Sequence, residues 1–321
     1  MFRISSSHRR HSDSIFRLMR ILISGATGLV GQALIQHLSG DGHRVSILTR
    51  SDSRVTPHHD AIERHIEWTP PSVPPQLEVI EGFDAFIHLA GEPIAGRRWT
   101  ASQKERIYDS RITATRVLMR QFEAAKHPPG IVISASAVGY YGDTGEQPVD
   151  EHAAAGDGFT AYLCRNWESE ALEAAKFGAR VVLLRTGIVL SNRGGALARM
   201  LPVFRVGLGG RLGSGRQWMS WITEEDLTRL IAYCLETQEL SGPVNAVSPA
   251  PVRNHEFTSS LARRLGRPAL VPVPATALRL AYGKLADETL LVSQRVTPAK
   301  LERSSFQFNA PDLDTALSTL L

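Results

Sequence analysis

The stretch Ile21-Leu22-Ile23-Ser24-Gly25-Ala26-Thr27-Gly28-Leu29-Val30-Gly31 joins a short apolar run to three glycines in the spacing G-x-x-G-x-x-G. The run predicts a buried β-strand, and the periodic apolar residues after it predict a helix. Gly25 permits the tight turn, Gly28 allows backbone to approach a pyrophosphate, and Gly31 lets the helix pack closely on the sheet. The N–H groups and positive dipole of the helix end would face the phosphates. We therefore predict a dinucleotide site made by Gly25, Ala26, Thr27, Gly28, Leu29, Val30 and Gly31. The alternative is a glycine-rich turn with only a structural role.

A second strand is predicted over Arg44–Thr49, and Arg50 follows its carboxyl end. Proteins that bind NAD usually carry an acidic residue at this strand end for the ribose 2′-hydroxyl, whereas an arginine suits the 2′-phosphate of NADP. A guanidinium and a phosphate form a strong charge-assisted pair. We therefore expect NADP(H) as the cofactor, with an ordinary surface arginine as the alternative.

Strands and helices alternate through the first 186 residues, which predicts an α/β fold with a Rossmann-type doubly wound parallel sheet. The predicted strands cover 21–24, 44–49, 62–68, 84–91, 131–134 and 180–185, and predicted helices follow residue 30 and cover 99–125 and 159–177. Ligands of such sheets bind at the carboxyl ends of the strands. The turn Leu89-Ala90-Gly91 ends one strand, so we expect its backbone to contact the cofactor.

The chain changes character after residue 187, where a glycine-rich stretch over 207–215 precedes helices over 224–236 and 254–265 and a strand over 244–247. We expect residues 19–186 to form the NADP-binding Rossmann domain, whose sheet is open to later strands. Residues 187–321 are expected to form a smaller C-terminal α/β substrate-binding part. Residues 1–18 are predicted to be a disordered or spurious extension, with Met19 as an alternative start.

Composition favours a globular protein with a small-molecule ligand. Hydrophobic residues make up 43% of the chain and charged residues 21%, as in soluble domains. No apolar run approaches the roughly 20 residues of a membrane-spanning helix. The formal net charge is +4, and residues 1–18 carry most of it. The remainder lacks the basic excess of a nucleic-acid-binding surface. We expect no nucleic-acid or membrane partner, and a homodimer stays open.

The two cysteines, Cys164 and Cys234, do not have the spacing of a metal site, and they do not suggest a disulfide framework. They indicate a reducing compartment, and we predict a cytoplasmic protein without a metal. Residues 1–18 lack the apolar segment of a secretory signal, but they are rich in arginine and serine. An organellar transit peptide is therefore the alternative for this segment.

Several motifs together resemble the extended short-chain dehydrogenase/reductase superfamily, and more narrowly its epimerase-like branch, family 39U, with a C-terminal module of the DUF1731 type. Besides the glycine stretch, the segments that carry the resemblance are 88–94 (HLAGEPI), 98–100 (RWT), 134–142 (SASAVGYYG), 167–168 (WE), 184–190 (LRTGIVL), 207–222, 251–254 (PVRN) and 272–282. The resemblance covers residues 19–321. It implies NADP contacts from Thr49 and Arg50, and from Leu89 and Ala90. It also implies that Arg111 reaches the cofactor from the long helix and that Gly187 and Ile188 flank the nicotinamide.

The catalytic pattern departs from the superfamily. Its enzymes normally pair a tyrosine with a lysine four residues later, which lets the phenol act as a general acid/base. No Tyr-x-x-x-Lys occurs in this chain, and Tyr162 has Asn166 at that spacing. Ser136 takes the place of the catalytic serine, after the strand predicted to end at Ser134. Tyr140 or Tyr141 is the remaining proton donor, although serines and tyrosines at such a turn also serve structural roles.

Polar residues beyond the strand ends suggest where a substrate binds. Glu92 follows the turn after Leu89-Ala90-Gly91, and Arg216 and Gln217 follow the glycine-rich stretch. An arginine and an amide beside an aromatic residue suit an anionic or polyol ligand. His88 lies inside a strand and is expected to be packed or hydrogen-bonded. The chain is therefore predicted to be an NADP(H)-dependent oxidoreductase or isomerase of a small polar molecule. The alternative is a non-catalytic NADP(H) sensor, which the missing Tyr–Lys pair suggests.

Overall fold

A seven-stranded parallel sheet forms the centre of the chain. The computed structural model describes residues 18–50, 59–71 and 73–321, so the predicted extension lies outside the described residues except for Leu18. The strands are β1 (Arg20–Ser24), β2 (Arg44–Thr49), β3 (Ile62–Glu67), β4 (Ala85–His88), β5 (Ile131–Ala137), β6 (Arg180–Thr186), β7 (Ile188–Leu190), β8 (Trp218–Met219), β9 (Trp221–Thr223), β10 (Gly242–Ala246) and β11 (Val252–Arg253). The order in the large sheet is β10-β6-β5-β4-β1-β2-β3. Every neighbouring pair is parallel, which confirms the predicted Rossmann-type fold.

Helices cover both faces of the sheet. They are α1 (Leu29–Gly40), α2 (Leu77–Ile80), α3 (Ala101–Tyr108), α4 (Ala114–Ala124), α5 (Phe159–Leu172), α6 (Gly195–Arg205), α7 (Glu224–Glu236), α8 (Asn254–Leu265), α9 (Ala275–Tyr282), α10 (Ala299–Glu302) and α11 (Leu313–Leu320). On one face, Leu34 of α1 and Leu230 of α7 share a buried core with Ile23. On the other face, Leu118 of α4 packs in a second core with Phe86. Each fully buried aliphatic side chain contributes about 1.5–3 kcal/mol.

The strand order reverses at β1, where β2 lies on one side and β4 on the other. Chains of this topology open a crevice at the carboxyl ends of the strands at such a switch point. The turn from β1 into α1 and the turn after β4 therefore face the same space.

The long helical segment predicted over 99–125 is interrupted. A π-helical turn over Asp109–Thr113 joins α3 to α4. A π-turn accommodates one extra residue and shifts the faces of the helix on either side of it. Hydrophobic periodicity does not reveal such a turn, because the apolar positions before and after it still read as helical.

The structure also extends β5 beyond the predicted end at Ser134. Ser136 pairs with Arg185 of β6, and Ala137 pairs with Thr186. The prediction that Ser136 follows the strand is therefore wrong. Pairing with β6 continues to Ala137, so Ser136 is a strand residue whose orientation the sheet fixes.

The chain after residue 187 makes smaller units around the edge of the sheet. β7 pairs with β9 and β8 pairs with β11, and α6, α8 and α11 share a core that contains Trp221 and Phe257. β10, from the same half, is the edge strand of the large sheet. The division at residues 186 and 187 remains a prediction. Within the described ranges, no helix has both the length and the apolar character that crossing a bilayer requires.

Candidate functional site

A cleft of about 570 Å³ lies at the carboxyl ends of β1, β2 and β4. It is where the topology predicts a ligand. Its lining residues are Ser24, Gly25, Ala26, Thr27, Gly28, Leu48, Thr49, Arg50, Trp68, Pro70, Pro71, Leu89, Ala90, Gly91, Glu92, Pro93, Arg106, Asp109 and Ser110. The structure thus brings together most residues of the predicted cofactor site, together with Glu92 of the predicted substrate site.

The glycine loop is shaped by contacts that allow no side chain. Gly25 has a φ of +75°, and a Cβ atom there would lie 2.5 Å from the carbonyl carbon of Leu89. A Cβ on Gly31 would lie 2.4 Å from the carbonyl oxygen of Gly25. Gly28 precedes the first turn of α1 and provides no side-chain cap. The first N–H groups of α1 are thus left for a ligand, and this cradle fits the phosphates of a dinucleotide.

Arg50 and Trp68 form the wall beside β2. The main-chain N–H of Trp68 donates to the carbonyl oxygen of Thr49 at 2.8 Å, which places the indole next to the end of β2. The indole N–H donates to the carbonyl oxygen of Val73 at 2.8 Å, so the ring orientation is fixed. Arg50 is exposed and lines the same cleft. A cation beside an apolar wall suits a nucleotide with an anionic substituent.

The opposite wall comes from the π-helical turn. Ser110 accepts a hydrogen bond from the main-chain N–H of Glu92 at 2.9 Å and donates to the carbonyl oxygen of Ile107 at 3.0 Å. The carboxylate of Glu92 accepts from Gln103 at 3.3 Å. The loop after β4 is therefore fixed to the helix that contributes Arg106, Asp109 and Ser110 to the cleft.

Arg111 lies behind this wall and does not line the cleft. Its side chain is buried, and one guanidinium nitrogen donates to the carbonyl oxygen of Glu92 at 2.9 Å. A Cβ on Gly91 would lie 2.8 Å from the guanidinium carbon, which itself lies 5.1 Å from the ring centroid of Trp167. Burial lowers the pKa of Arg111 to about 10. The guanidinium thus remains charged at neutral pH and lies against Gly91, which lines the cleft. Its contact with a cofactor remains a prediction.

Ser136 belongs to a buried ionic network. Its hydroxyl donates to Glu168 Oε1 at 2.7 Å. Glu168 also accepts from Arg185, with Nε donating to Oε1 at 2.9 Å and Nη2 donating to Oε2 at 2.8 Å. The ion pair raises the pKa of Arg185 although burial opposes this. Serine, carboxylate and guanidinium therefore satisfy one another inside the protein.

Tyr140 and Tyr141 both contact the guanidinium of Arg185, but in different ways. Tyr141 is buried, donates to Asn245 Oδ1 at 2.7 Å and accepts from Arg185 Nη1 at 3.0 Å. Burial raises the pKa of Tyr141 to about 12. Tyr140 is only half-buried, and its ring centroid lies 3.4 Å from the guanidinium carbon of Arg185. Its hydroxyl forms no hydrogen bond with the described residues.

Gly187, Ile188, Arg216 and Gln217 are not among the residues that line the cleft. The main-chain N–H of Gly187 donates to the carbonyl oxygen of Ala246, and the main-chain N–H of Ile188 donates to the carbonyl oxygen of Ser220. Gln217 is buried and donates to the carbonyl oxygens of Leu212 and Leu290 at 3.1 and 3.0 Å. Arg216 is exposed. The roles of Gly187, Ile188, Arg216 and Gln217 in binding remain predictions.

His88 is a structural residue, as its position in the strand predicts. It is fully buried, with Nδ1 2.5 Å from the Ser24 hydroxyl and Nε2 3.0 Å from the Thr115 hydroxyl. Burial and the charge of Arg111 lower the pKa of His88 to about 3. The ring is therefore neutral at physiological pH. In the described part of the chain, no group of histidine, cysteine and acidic residues has the arrangement of a metal site.

The chain is similar in sequence to known proteins over most of its length. Residues 21–246 match the NAD dependent epimerase/dehydratase family, and residues 273–320 match a domain of unknown function, DUF1731. An epimerase family protein of Mycobacterium bovis is 45% identical over 299 residues, which cover 92% of this chain and 96% of the relative. The chloroplastic SDR39U1 homologue of Arabidopsis thaliana is 37% identical over 312 residues, which cover 94% and 87%.

A solved structure is similar over almost the whole chain. The crystal structure of human epimerase family protein SDR39U1 (isoform 2) with NADPH has a TM-score of 0.83 and 32% sequence identity. The alignment covers 94% of this chain and 99% of the human chain.

Proposed function

Since the chain belongs to the NAD dependent epimerase/dehydratase family, as its motifs indicated, we propose that it binds NADP(H) in the cleft and acts as an oxidoreductase or isomerase on a small polar molecule. The observation that carries the proposal is the cleft, in which the glycine cradle and Arg50 face the same space. The human relative solved with NADPH supports the same cofactor.

The residues around the cleft fit the two ends of NADP(H) differently. Gly25 and Gly28, with the first turn of α1, would hold the pyrophosphate, because a glycine has no side chain to keep a phosphate from its backbone. Arg50 would pair with the 2′-phosphate. The acidic residues among the described lining, Glu92 and Asp109, come from the loop after β4 and from the π-helical turn rather than from the end of β2. When bound, the nicotinamide supplies hydride transfer to or from a substrate carbon.

Proton transfer is assigned within this proposal to Tyr140. The hydroxyl of Tyr141 already donates to Asn245, and that of Ser136 donates to Glu168. Tyr140 alone of the three has a hydroxyl without a partner among the described residues, and the guanidinium of Arg185 supports its ring. Ser136 would orient this group through Glu168 and Arg185 rather than by donating to the substrate.

A non-catalytic NADP(H) sensor is the second candidate. Two observations favour it: the chain has no Tyr-x-x-x-Lys, and the predicted catalytic residues Ser136, Tyr140 and Tyr141 do not line the cofactor cleft. In this case the network around Arg185 would serve stability alone.

Deuterium transfer distinguishes the two candidates. The protein is incubated with NADPH deuterated at C4, on each face separately, and with a metabolite extract. Mass spectrometry then detects compounds that gain deuterium. The enzyme proposal predicts a labelled compound that is lost with Tyr140→Phe and retained with Tyr162→Phe, since Tyr162 is exposed on α5. Saturated NADPH binding without any labelled compound would favour the sensor.

The expectations about location and partners belong to the same proposal. Both cysteines are buried free thiols, which suits a reducing compartment such as the cytoplasm. The Arabidopsis relative is named chloroplastic, so an organelle is the alternative. We propose a small-molecule substrate and no nucleic-acid or membrane partner. A homodimer is left open.

A further inference from the structure

A charged cluster lies outside the cofactor cleft, where the loop after β5 meets β8 and β11. We call Glu146, Trp218, Arg253 and Arg295 the Trp218 cluster. Trp218 and Arg253 are partners across the two antiparallel strands. The guanidinium carbons of Arg253 and Arg295 each lie 4.5 Å from the centroid of the Trp218 ring. One indole thus holds two cations in place.

The carboxylate of Glu146 accepts three hydrogen bonds from side chains of this cluster. Arg253 donates to both of its oxygens, from Nη1 to Oε1 at 3.0 Å and from Nη2 to Oε2 at 2.6 Å. The indole N–H of Trp218 donates to Oε2 at 3.1 Å. This forked arrangement is the one with which arginine recognises carboxylates and phosphates. The hydrogen bonds from Arg253 and Trp218 lower the pKa of Glu146 to about 2.

Glu146 is nevertheless an exposed side chain on a loop, with 69% of its surface accessible. Ion pairs of such exposure contribute little to stability, so another anion can compete with it. Arg295 adds a second positive charge and donates to the main-chain oxygen of Glu146 at 3.2 Å. Arg216 also belongs to this region, because its carbonyl oxygen accepts from Arg253 at 2.6 Å. Arg253 therefore binds the carboxylate directly, and the charge of Arg216 also acts on it.

We infer that Arg253, Arg295 and the indole N–H of Trp218 form a binding site for an oxyanion of the substrate, a carboxylate or a phosphate, and that Glu146 occupies this site until the substrate displaces it. This inference rests on the proposed function and deepens it, since it gives the substrate an anionic group. It also gives the predicted substrate residue Arg216 a position next to the group it would attract.

The test follows the indole N–H of Trp218 by NMR in protein without cofactor. Its resonance is assigned by its loss in Trp218→Phe. Inorganic phosphate and, in a second series, acetate are titrated at constant ionic strength. Glu146→Gln should bind the preferred anion up to about fivefold more tightly than the wild type, because the tethered carboxylate of an exposed ion pair no longer competes for the site. Arg253→Gln should abolish the shift.

Asp314→Asn is the matched control, because Asp314 is an exposed acid that pairs with Arg263 at 3.2 Å on another surface. It should leave anion binding unchanged. Equal affinity of the wild type and Glu146→Gln for both anions would overturn the inference, as would equal tightening by Asp314→Asn. NADPH is titrated into the same samples. Failure to bind NADPH would contradict the proposed function without changing the result for the anion site.

Discussion

Replacing Glu168 by glutamine removes one charge from the most buried ion pair of the described chain. The side chains of Arg185 and Glu168 are 4% and 7% exposed, and Glu168 accepts three hydrogen bonds from Arg185 and Ser136. A glutamine keeps the shape, but its amide group turns a donor towards either the guanidinium or the serine hydroxyl. The charge of Arg185 then loses the carboxylate that pairs with it, in a site from which water is excluded.

The expected loss in the free energy of unfolding follows from the burial of this ion pair. Removing one partner of a buried ion pair destabilises a protein by about 3–5 kcal/mol, because the other charge stays desolvated. Glu170→Gln is the matched control on the same helix. Glu170 pairs with Arg116, but these side chains are 19% and 41% exposed, and such a pair contributes about 1 kcal/mol or less.

Thermal and urea unfolding of the two variants measure the difference. We expect the free energy of unfolding to fall several times more for Glu168→Gln than for Glu170→Gln. We also expect Ser136→Ala to lose only about 1 kcal/mol, the net value of one hydrogen bond. Similar small losses for both glutamine variants would refute the account of a buried network organised by Arg185.

Two further predictions concern the loop and the buried histidine. Gly25→Ala should weaken NADPH binding at least tenfold, because its Cβ would lie 2.5 Å from the carbonyl carbon of Leu89. A Cβ on Gly40 would have no atom of the described residues within 4 Å, so Gly40→Ala should bind NADPH normally in a fluorescence titration. An equal effect of both would contradict the cradle. The free energy of unfolding should fall as the pH is lowered from 6.5 towards 3. The pKa of His88 is about 3 in the folded protein and 6.5 for an ordinary histidine, so between these values only the unfolded chain binds a proton at this residue. The contribution is at most about 1.4 kcal/mol per pH unit, and a slope that His88→Gln leaves unchanged would exclude it.

The fold could be predicted from the sequence because its signals are local. The glycine spacing from Gly25 to Gly31 and the alternation of strands and helices were enough to predict a doubly wound parallel sheet. Helices α7 and α8 have the predicted bounds, Glu224–Glu236 and Asn254–Leu265. Most of the cleft followed from one rule, that ligands lie at the carboxyl ends of parallel strands. The same rule would have identified Trp68, which directly follows β3.

The remaining features depend on contacts between distant segments. Asp109 and Ser110 reach the cleft through a π-helical turn, which leaves no mark in the apolar periodicity. Ser136 matched the position of a catalytic serine, but the sequence did not show that Glu168 would bind its hydroxyl from α5. Gln217 follows a glycine-rich stretch, and the sequence did not indicate that its amide nitrogen would donate to the carbonyl oxygens of Leu212 and Leu290. Side-chain chemistry was readable from the sequence, whereas the choice of partner was not.

The preference for NADPH over NADH, measured in the wild type and in Arg50→Ala, tests whether Arg50 binds the 2′-phosphate of the cofactor. Arg44→Ala is the control, since Arg44 is an exposed arginine at the other end of β2. A hydrogen bond to a charged group contributes about 1.5–3 kcal/mol, so Arg50→Ala should weaken NADPH binding roughly ten- to hundredfold. NADH binding, and both affinities of Arg44→Ala, should change little. An equal loss of NADPH and NADH binding in Arg50→Ala, or no loss of either, would contradict a 2′-phosphate site at the end of β2.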